Sequence, residues 1–224
     1  MKYFTSKINK MHKALHKYLK VKRNHNLFDK VKTRFEKDGP IAHNWDHIYR
    51  DTLNAIWIGE QEKANMEIIF PAILLHDIGF LYSPDPTIPH TLGTQKCFEW
   101  LKDWLPEEQD QISSCIRAHK GKTLDYDIEP KTLEEKIVCD ADIIEKFGFI
   151  GVLTSILTMT EFSQSWKPEL KSLHSIMQFL DQKISKLDPK LYTKAAKALV
   201  KTRNKQITKT FFSDAVKELE VYYT

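Results

Sequence analysis

An all-α fold is predicted for this chain of 224 residues, and three observations predict it. Apolar residues recur at three- and four-residue spacing along much of the chain, the signature of a helix with one buried face. No stretch alternates apolar and polar residues over more than a few positions, as a half-buried strand would. Gly39-Pro40, Pro168 and Pro189 stand where helices end or begin.

Phe4, Ile8, Met11, Leu15 and Tyr18/Leu19 define the apolar face of a first helix whose remaining surface is lysine-rich. Asn26 reads as the N-cap of a second helix that Gly39-Pro40 ends. Residues 43–63 read as a third helix. Residues 66–77 read as a short buried helix, apolar on all sides, with Pro71 a candidate kink. Three prolines between residues 83 and 89 make a rigid loop. Helices are expected over about 91–104, 107–119, 131–147 and 149–162. Segments of about 169–186 and 190–202 follow Pro168 and Pro189, and a last helix covers about 207–222. The result is a compact bundle of many helices.

Composition narrows the function. Charged residues make up 29% and hydrophobic residues 42%, which suits a soluble globular domain. The longest apolar run, residues 68–75, falls well short of the ~20 residues that span a bilayer. Lysines interrupt the N-terminal stretch too often for a signal-peptide apolar region. The three cysteines, Cys97, Cys115 and Cys139, are odd in number and form no CxxC, so neither a disulfide framework nor a cysteine zinc site is expected. These features predict a cytoplasmic protein. The net charge of +4 conceals an asymmetry: residues 1–37 hold twelve Lys/Arg against Asp29 and Glu36. The organisation expected is a basic helical extension over 1–37 and one helical domain over 38–224.

Three clusters carry chemistry. The first runs from His43 through Asn44, Trp45, Asp46 and His47 to Arg50. On a helix, positions i, i+4 and i+7 share a face, which would align His43, His47 and Arg50. A histidine offers a ring nitrogen to a metal, and an arginine grips phosphate oxygens. Capping histidines on a polar helix start are the plain alternative. The second cluster is His76-Asp77-Ile78-Gly79, at the end of the apolar helix. A buried carboxylate is costly unless paired or bound to a metal, so this pair calls for a partner. The third is Asp140-Ala141-Asp142, with Glu145 three residues on and Gly148 and Gly151 beyond. Asp140 points about 200° away from Asp142 on a helix and cannot share its role.

The order HxxR (His47, Arg50), HDIG (His76, Asp77, Gly79) and DADxxxxxG (Asp140, Asp142, Gly148) resembles the HD superfamily of metal-dependent phosphohydrolases over roughly residues 40–160. The DAD–G–G ending is similar to that of small stand-alone bacterial and archaeal members, some of which resemble nucleotide pyrophosphatases. The resemblance implies a compact HD-type helical bundle with one divalent ion held by His47, His76, Asp77 and Asp142. Such a mixed nitrogen and oxygen set suits Mn, Fe, Co, Ni or Zn, with Mg less favoured. It also implies roles for His90 and His119, as ligands of a second ion or as contacts to the substrate phosphate; the sequence leaves both open.

The expected reaction is hydrolysis of a phosphate ester or anhydride, with a nucleotide as the expected substrate. Arg50, His90, His119 and Lys120 would bind the phosphate. Asp77 and Glu145 are the candidate acid/base residues. The pocket walls are expected from residues 83–89 and from around Trp100, Trp104 and Phe147. No acidic pair follows His76-Asp77, as guanosine tetraphosphate hydrolases would have, and no GYP signature marks a cyclic-di-GMP phosphodiesterase. Two other readings stay open: an HD-type di-iron oxygenase acting on a small organic substrate, and nucleic-acid or anionic-lipid binding through the basic arm 1–37. For the arm, packing of its apolar stripe on the body, with solvated lysines, is the favoured reading.

Overall fold

A computed structural model describes residues 2–83, 89–121, 128–162, 172–186, 190–201, 203 and 205–222. Among the described residues every regular element is helical. None of these helices is by itself long and apolar enough to cross a membrane.

The basic N-terminal stretch folds as a hairpin of α1 (Lys2–Tyr18) and α2 (Lys22–Asp38). Met11, Leu15 and Tyr18 of α1 are buried, as are Leu27, Phe28, Val31 and Phe35 of α2. Spaced three and four apart, they turn one stripe per helix onto the core they share with the rest of the chain. The side chains of Phe4 and Ile8, the start of the expected stripe, lie outside the described residues. Lysines and arginines cover much of the outer surface, and some of them reach the body. Arg23 binds Glu67 at 2.7 Å and Glu108 at 3.0 Å, and Lys17 lies 3.4 Å from Glu60. The second helix starts at Lys22, earlier than the Asn26 cap predicted from sequence. Val21 is already extended at its head, and Asn24 is drawn inside because its Nδ2 donates to the Tyr18 carbonyl at 3.3 Å, holding the hairpin turn.

Four helices make the centre: α3 (Trp45–Glu62), α4 (Met66–Leu75), α6 (Pro106–Ala118) and α7 (Leu133–Ile144). Asn44 caps α3 by accepting from His47 N at 3.1 Å, and Asn65 caps α4 by accepting from Glu67 N. The α4 helix is buried from Ile68 to Leu75 and runs on through Pro71. Thr132 and Glu135 form a capping box at the head of α7.

Between α4 and α6 lie a 3-10 turn (Ile78–Leu81) and α5 (Pro89–Lys96), which pack on each other. The helix expected over 91–104 is shorter than predicted, passing into a 3-10 turn at Cys97–Glu99. The Thr94 carbonyl instead accepts from Cys97 Sγ at 3.2 Å and Ser113 Oγ at 3.1 Å, side-chain bonds that compete with the helical ladder. Of the proline loop expected over 83–89, residues 84–88 lie outside the described residues, as do Pro168 and Pro189, while Pro89 already belongs to α5.

The chain then turns sharply into α8 (Gly148–Phe162). Gly148 takes a φ of +74°, and a Cβ on Gly151 would lie 2.3 Å from the Lys146 carbonyl oxygen, so both positions require glycine. Helix α8 joins α9 (Leu173–Lys186) and α11 (Lys205–Glu220) around Val152, Met159, Met177, Leu180 and Phe212, a second apolar cluster. The short α10 (Lys194–Val200) packs on α3 and α7.

Candidate metal centre

Each central helix delivers polar groups to one buried point. His47 and Asp51 come from the first two turns of α3, one turn apart. His76 and Asp77 follow the last residue of α4, Asp142 lies near the end of α7, and His119 and Lys120 follow α6. His47, Asp51, His76, Asp77, His119 and Asp142 are all buried, Asp51, His76 and His119 completely.

One ligand atom each from His47, Asp51, His76 and Asp142 lies within 4.8 Å of every other. His47 Nε2 stands 3.3 Å from Asp51 Oδ2, 3.3 Å from Asp77 Oδ2 and 3.7 Å from Asp142 Oδ1. His76 Nε2 lies 3.4 Å from His47 Nε2, 3.3 Å from Asp77 Oδ2 and 3.5 Å from Asp51 Oδ2. The tautomers follow from the backbone. His76 Nδ1 lies 2.7 Å from the Ile73 carbonyl and His119 Nδ1 lies 2.6 Å from that of Ile116. A carbonyl only accepts, so each Nδ1 carries a proton and, in the neutral imidazole, each Nε2 turns a lone pair toward the cluster.

Two ring nitrogens facing each other among three carboxylates make no satisfied hydrogen-bond network. Both oxygens of Asp51 and of Asp77, Asp142 Oδ2 and His119 Nε2 are buried without a hydrogen-bond partner. Orphaned acceptors of that kind are costly unless a cation joins them. The residues therefore fit a divalent ion, and the nitrogen and oxygen mixture fits a first-row transition metal.

The electrostatics agree. Burial pushes the Asp51 carboxyl well above its usual range, and Glu145, Asp142 and Asp77 push it the same way. Burial also raises Asp77, but Lys120, then His76 and His43, outweigh it and hold that carboxyl well below. Asp142 is held low against its burial by Lys146 and Lys120. Burial lowers His47, whereas Asp77 and Asp142 overcome burial to raise His76. Burial and then Lys120 lower His119 to about 4.

Other residues singled out in the sequence are placed differently. His43 precedes the Asn44 cap, so it does not share the helical face of His47 and Arg50; its Nδ1 lies 2.7 Å from Glu161 Oε1. Glu145 accepts from Arg50 Nε at 2.5 Å and from both Arg203 Nη atoms at 3.3 Å. Lys120 Nζ is 3.6 Å from Asp77 Oδ1. His90 is half-buried in the first turn of α5; burial and Lys120 lower its imidazole, which Asp77 partly offsets. Asp140 turns away, accepting from Tyr192 N, Thr193 N and Thr193 Oγ1. Trp100 and Trp104 pack against α2, with Lys30 Nζ 4.1 Å from one ring and the Arg23 guanidinium 5.1 Å from the other. Sequence reasoning passed over Asp51 and Arg203. Asp51 had a signal, since i+4 from His47 is the next position on the same face.

Residues 44–146 match the family model of the HD domain. This chain carries an HD domain over that stretch. Its HD domain spans the capped start of α3 to the end of the α7 turn, and so contains all six converging residues. The chain is 29% identical over 126 residues to the uncharacterized protein YpgQ of Bacillus subtilis, covering 54% of this chain and 58% of that one, less than two thirds of the relative. Among solved structures, an HD-superfamily hydrolase from Bacillus thuringiensis matches with a TM-score of 0.60 and 26% identity over 88% of this chain and 96% of that one. The Lin1889 protein of Listeria innocua matches with a TM-score of 0.60 and 23% identity, over 88% and 98%. YpgQ in complex with ADP matches with a TM-score of 0.54 and 20% identity, over 89% and 94%.

Proposed function

We propose that this HD-domain protein is a metal-dependent phosphohydrolase acting on a nucleotide phosphate. The observation that carries the reading is the convergence of His47, His76, Asp51, Asp77 and Asp142 on one buried point, with oxygens that no hydrogen bond satisfies. Support comes from the HD-superfamily hydrolase that the fold resembles and from the binding of ADP by YpgQ.

We assign the ion to His47, His76, Asp77 and Asp142, with Asp51 as a fifth donor. A divalent ion there supplies Lewis acidity, acidifying a water and polarising a phosphoryl oxygen. Lys120, beside Asp77 Oδ1, provides the positive charge for the phosphate. Arg50 adds a second cation, aimed by Glu145. His90, in the first turn of α5, stays assigned to the phosphate. His119 is better suited to ligation than to donation, because its proton sits on Nδ1 and its Nε2 offers only a lone pair. Asp77 remains the candidate for orienting the water. Glu145, engaged by two arginines, is the weaker acid/base candidate.

Elemental analysis of the purified protein, followed by assay of a nucleotide panel with the recovered metal added back, tests this reading. A bound transition metal and turnover that a chelator abolishes are the expected result; a metal-loaded protein inert on the whole panel refutes it. His119 Nε2, buried without a hydrogen-bond partner and 3.5 Å from Asp77 Oδ1, favours one alternative, a second ion. Two irons per chain, with O₂ consumption and no phosphatase activity, would mean the di-iron oxygenase.

A further inference from the structure

Helix α10 is fastened to α7 at both ends. At its head, Tyr192 and Thr193 donate to Asp140. Just past its tail, Arg203 reaches the end of α7, where its Nη1 donates to the Ile144 carbonyl at 2.8 Å. Ile144 is the last residue of α7, at the negative end of the helix dipole, where a guanidinium is favoured. Arg203 does more than cap. Its Nη1 and Nη2 both donate to Glu145 Oε1 at 3.3 Å, and Glu145 Oε2 accepts from Arg50 Nε at 2.5 Å. The side chains of Glu145, Arg203 and Arg50 are 3%, 12% and 35% exposed, so Arg50 is the member of the trio that solvent reaches most.

Each Glu145 oxygen has its own guanidinium, so the two arginines do not compete for one acceptor. Fastening α10 needs neither bond to Glu145. Asp140 holds its head, the Ile144 carbonyl takes Arg203, and Ala196, Leu199 and Val200 are buried. What the bonds to Glu145 supply is orientation and charge. A carboxylate gripped at Oε1 presents Oε2 as a fixed acceptor, which fixes the Arg50 guanidinium in turn. Arginine keeps its proton at any ordinary pH. Arg50 paired with a lone carboxylate would offer a phosphate almost no net charge, whereas the second guanidinium leaves the trio with a net positive charge. Among the described residues Arg50 makes its hydrogen bond through Nε, so the two Nη groups of its fork remain for a ligand. Arg50 follows His47 by three residues on α3 and adjoins Asp51, which sets that fork beside the metal centre.

We propose that Arg203 is a positioning residue of the phosphate site: through Glu145 it aims Arg50 at the substrate phosphate and restores the positive charge that Glu145 alone would cancel. The proposal rests on the phosphohydrolase reading and adds to it a residue from outside the segment 44–146 that matches the HD domain. Arg203 touches no substrate itself, and its effect passes through Glu145 to Arg50. The turn that follows α10 thereby completes a site whose proposed metal ligands all lie within the HD segment.

The test uses the full chain, loaded with metal, and compares wild type, Arg203→Ala, Arg203→Lys, Arg50→Ala and both Arg203 changes in the Arg50→Ala background. Metal content, KM and kcat on the best nucleotide of the panel, and calorimetric affinity for inorganic phosphate are measured. Arg203→Ala should keep its metal, raise KM by about tenfold and weaken phosphate binding by a similar factor, the size of one charge-assisted hydrogen bond. Its kcat should stay within about twofold of wild type, and in the Arg50→Ala background the same change should cost less than about twofold in KM. Arg203→Lys keeps the charge but not the fork, and should recover only part of the phosphate affinity. Values of KM and phosphate affinity within about twofold of wild type for Arg203→Ala overturn the proposal, as does an undiminished loss in the Arg50→Ala background. If Arg203→Ala fails to fold, Arg203→Lys decides. A raised KM that the Arg50→Ala background abolishes upholds the proposal, and a wild-type KM overturns it. Wild type that binds phosphate but turns over no nucleotide ends the phosphohydrolase reading alone, and the phosphate titrations still judge Arg203. Wild type that does neither ends both.

Discussion

Asp51 lies one helical turn beyond His47, and its Oδ2 stands 3.3 Å from the His47 Nε2. The carboxylate is fully buried and neither oxygen finds a hydrogen-bond donor. Asp142, Asp77 and Glu145 all oppose its ionisation. Asp51 is therefore unfavourable in the metal-free protein and useful in the loaded one. Asp51→Asn should raise the Tm of the metal-free protein and weaken metal affinity by about 10–100-fold. Melts with and without chelator, beside calorimetric metal titration, read both signs. Unchanged affinity would remove Asp51 from the ligand set.

Metal binding should release protons. Burial, Glu145, Asp142 and Asp77 raise Asp51, and Asp77 with Asp142 raises His76 despite its burial. Both groups thus favour their protonated forms without metal, and a cation displaces those protons. The sign follows: affinity rises with pH, and the rise extends above the ordinary histidine value of 6.5 because His76 is raised from it. His119, lowered to about 4, contributes no proton near neutrality. Calorimetry in buffers of different ionisation enthalpy counts the protons. Affinity independent of pH between 6 and 8 would contradict the assignment.

Glu145 joins Arg50 and Arg203, and its side chain is 3% exposed. Removing one partner of a buried ion pair costs about 3–5 kcal/mol. Glu145→Ala should therefore lower Tm, keep its metal, and raise KM as Arg50 loses its guide. A large fall in kcat with Tm and KM intact would restore Glu145 as the acid/base residue.

The two aspartates of the DAD motif should separate in experiment. Asp140 accepts two backbone bonds of 2.8 Å and a Thr193 hydroxyl bond of 2.6 Å, tying α7 to the head of α10. Asp140→Ala should lose roughly 2–4 kcal/mol in urea unfolding and retain its metal. Asp142→Ala should lose the metal; what it costs the metal-free protein is the attraction of Lys146 and Lys120 that holds this carboxylate ionised, since Asp142 Oδ2 has no hydrogen bond to lose. The reverse pattern would exchange their roles.

Much of this molecule was legible in one dimension. The three- and four-residue periodicity of Leu27, Val31 and Phe35 places a buried stripe on α2 without any partner being known. The wholly apolar run before His76-Asp77 announces two polar groups at a buried helix end. Helix boundaries were less legible where side chains compete for backbone groups. Asn24 reaches back to Tyr18, and Cys97 and Ser113 occupy the Thr94 carbonyl, bonds that no propensity encodes.

The sequence by itself determined which residue types could form a metal centre and which helix ends carry them, because periodicity and burial cost are local properties. Tertiary structure decided the partners. Arg50 and Glu145 lie 95 residues apart, and His43 and Glu161 lie 118 apart. On a helix, Asp51, Asp142 and Glu145 look alike, as carboxylates on partly apolar faces. What distinguishes them is the group opposite: imidazole nitrogens for Asp51 and Asp142, two guanidinium groups for Glu145. A carboxylate's role is set by the charge a few ångströms away, and only the packing of α3, α4 and α7 against one another puts that charge there.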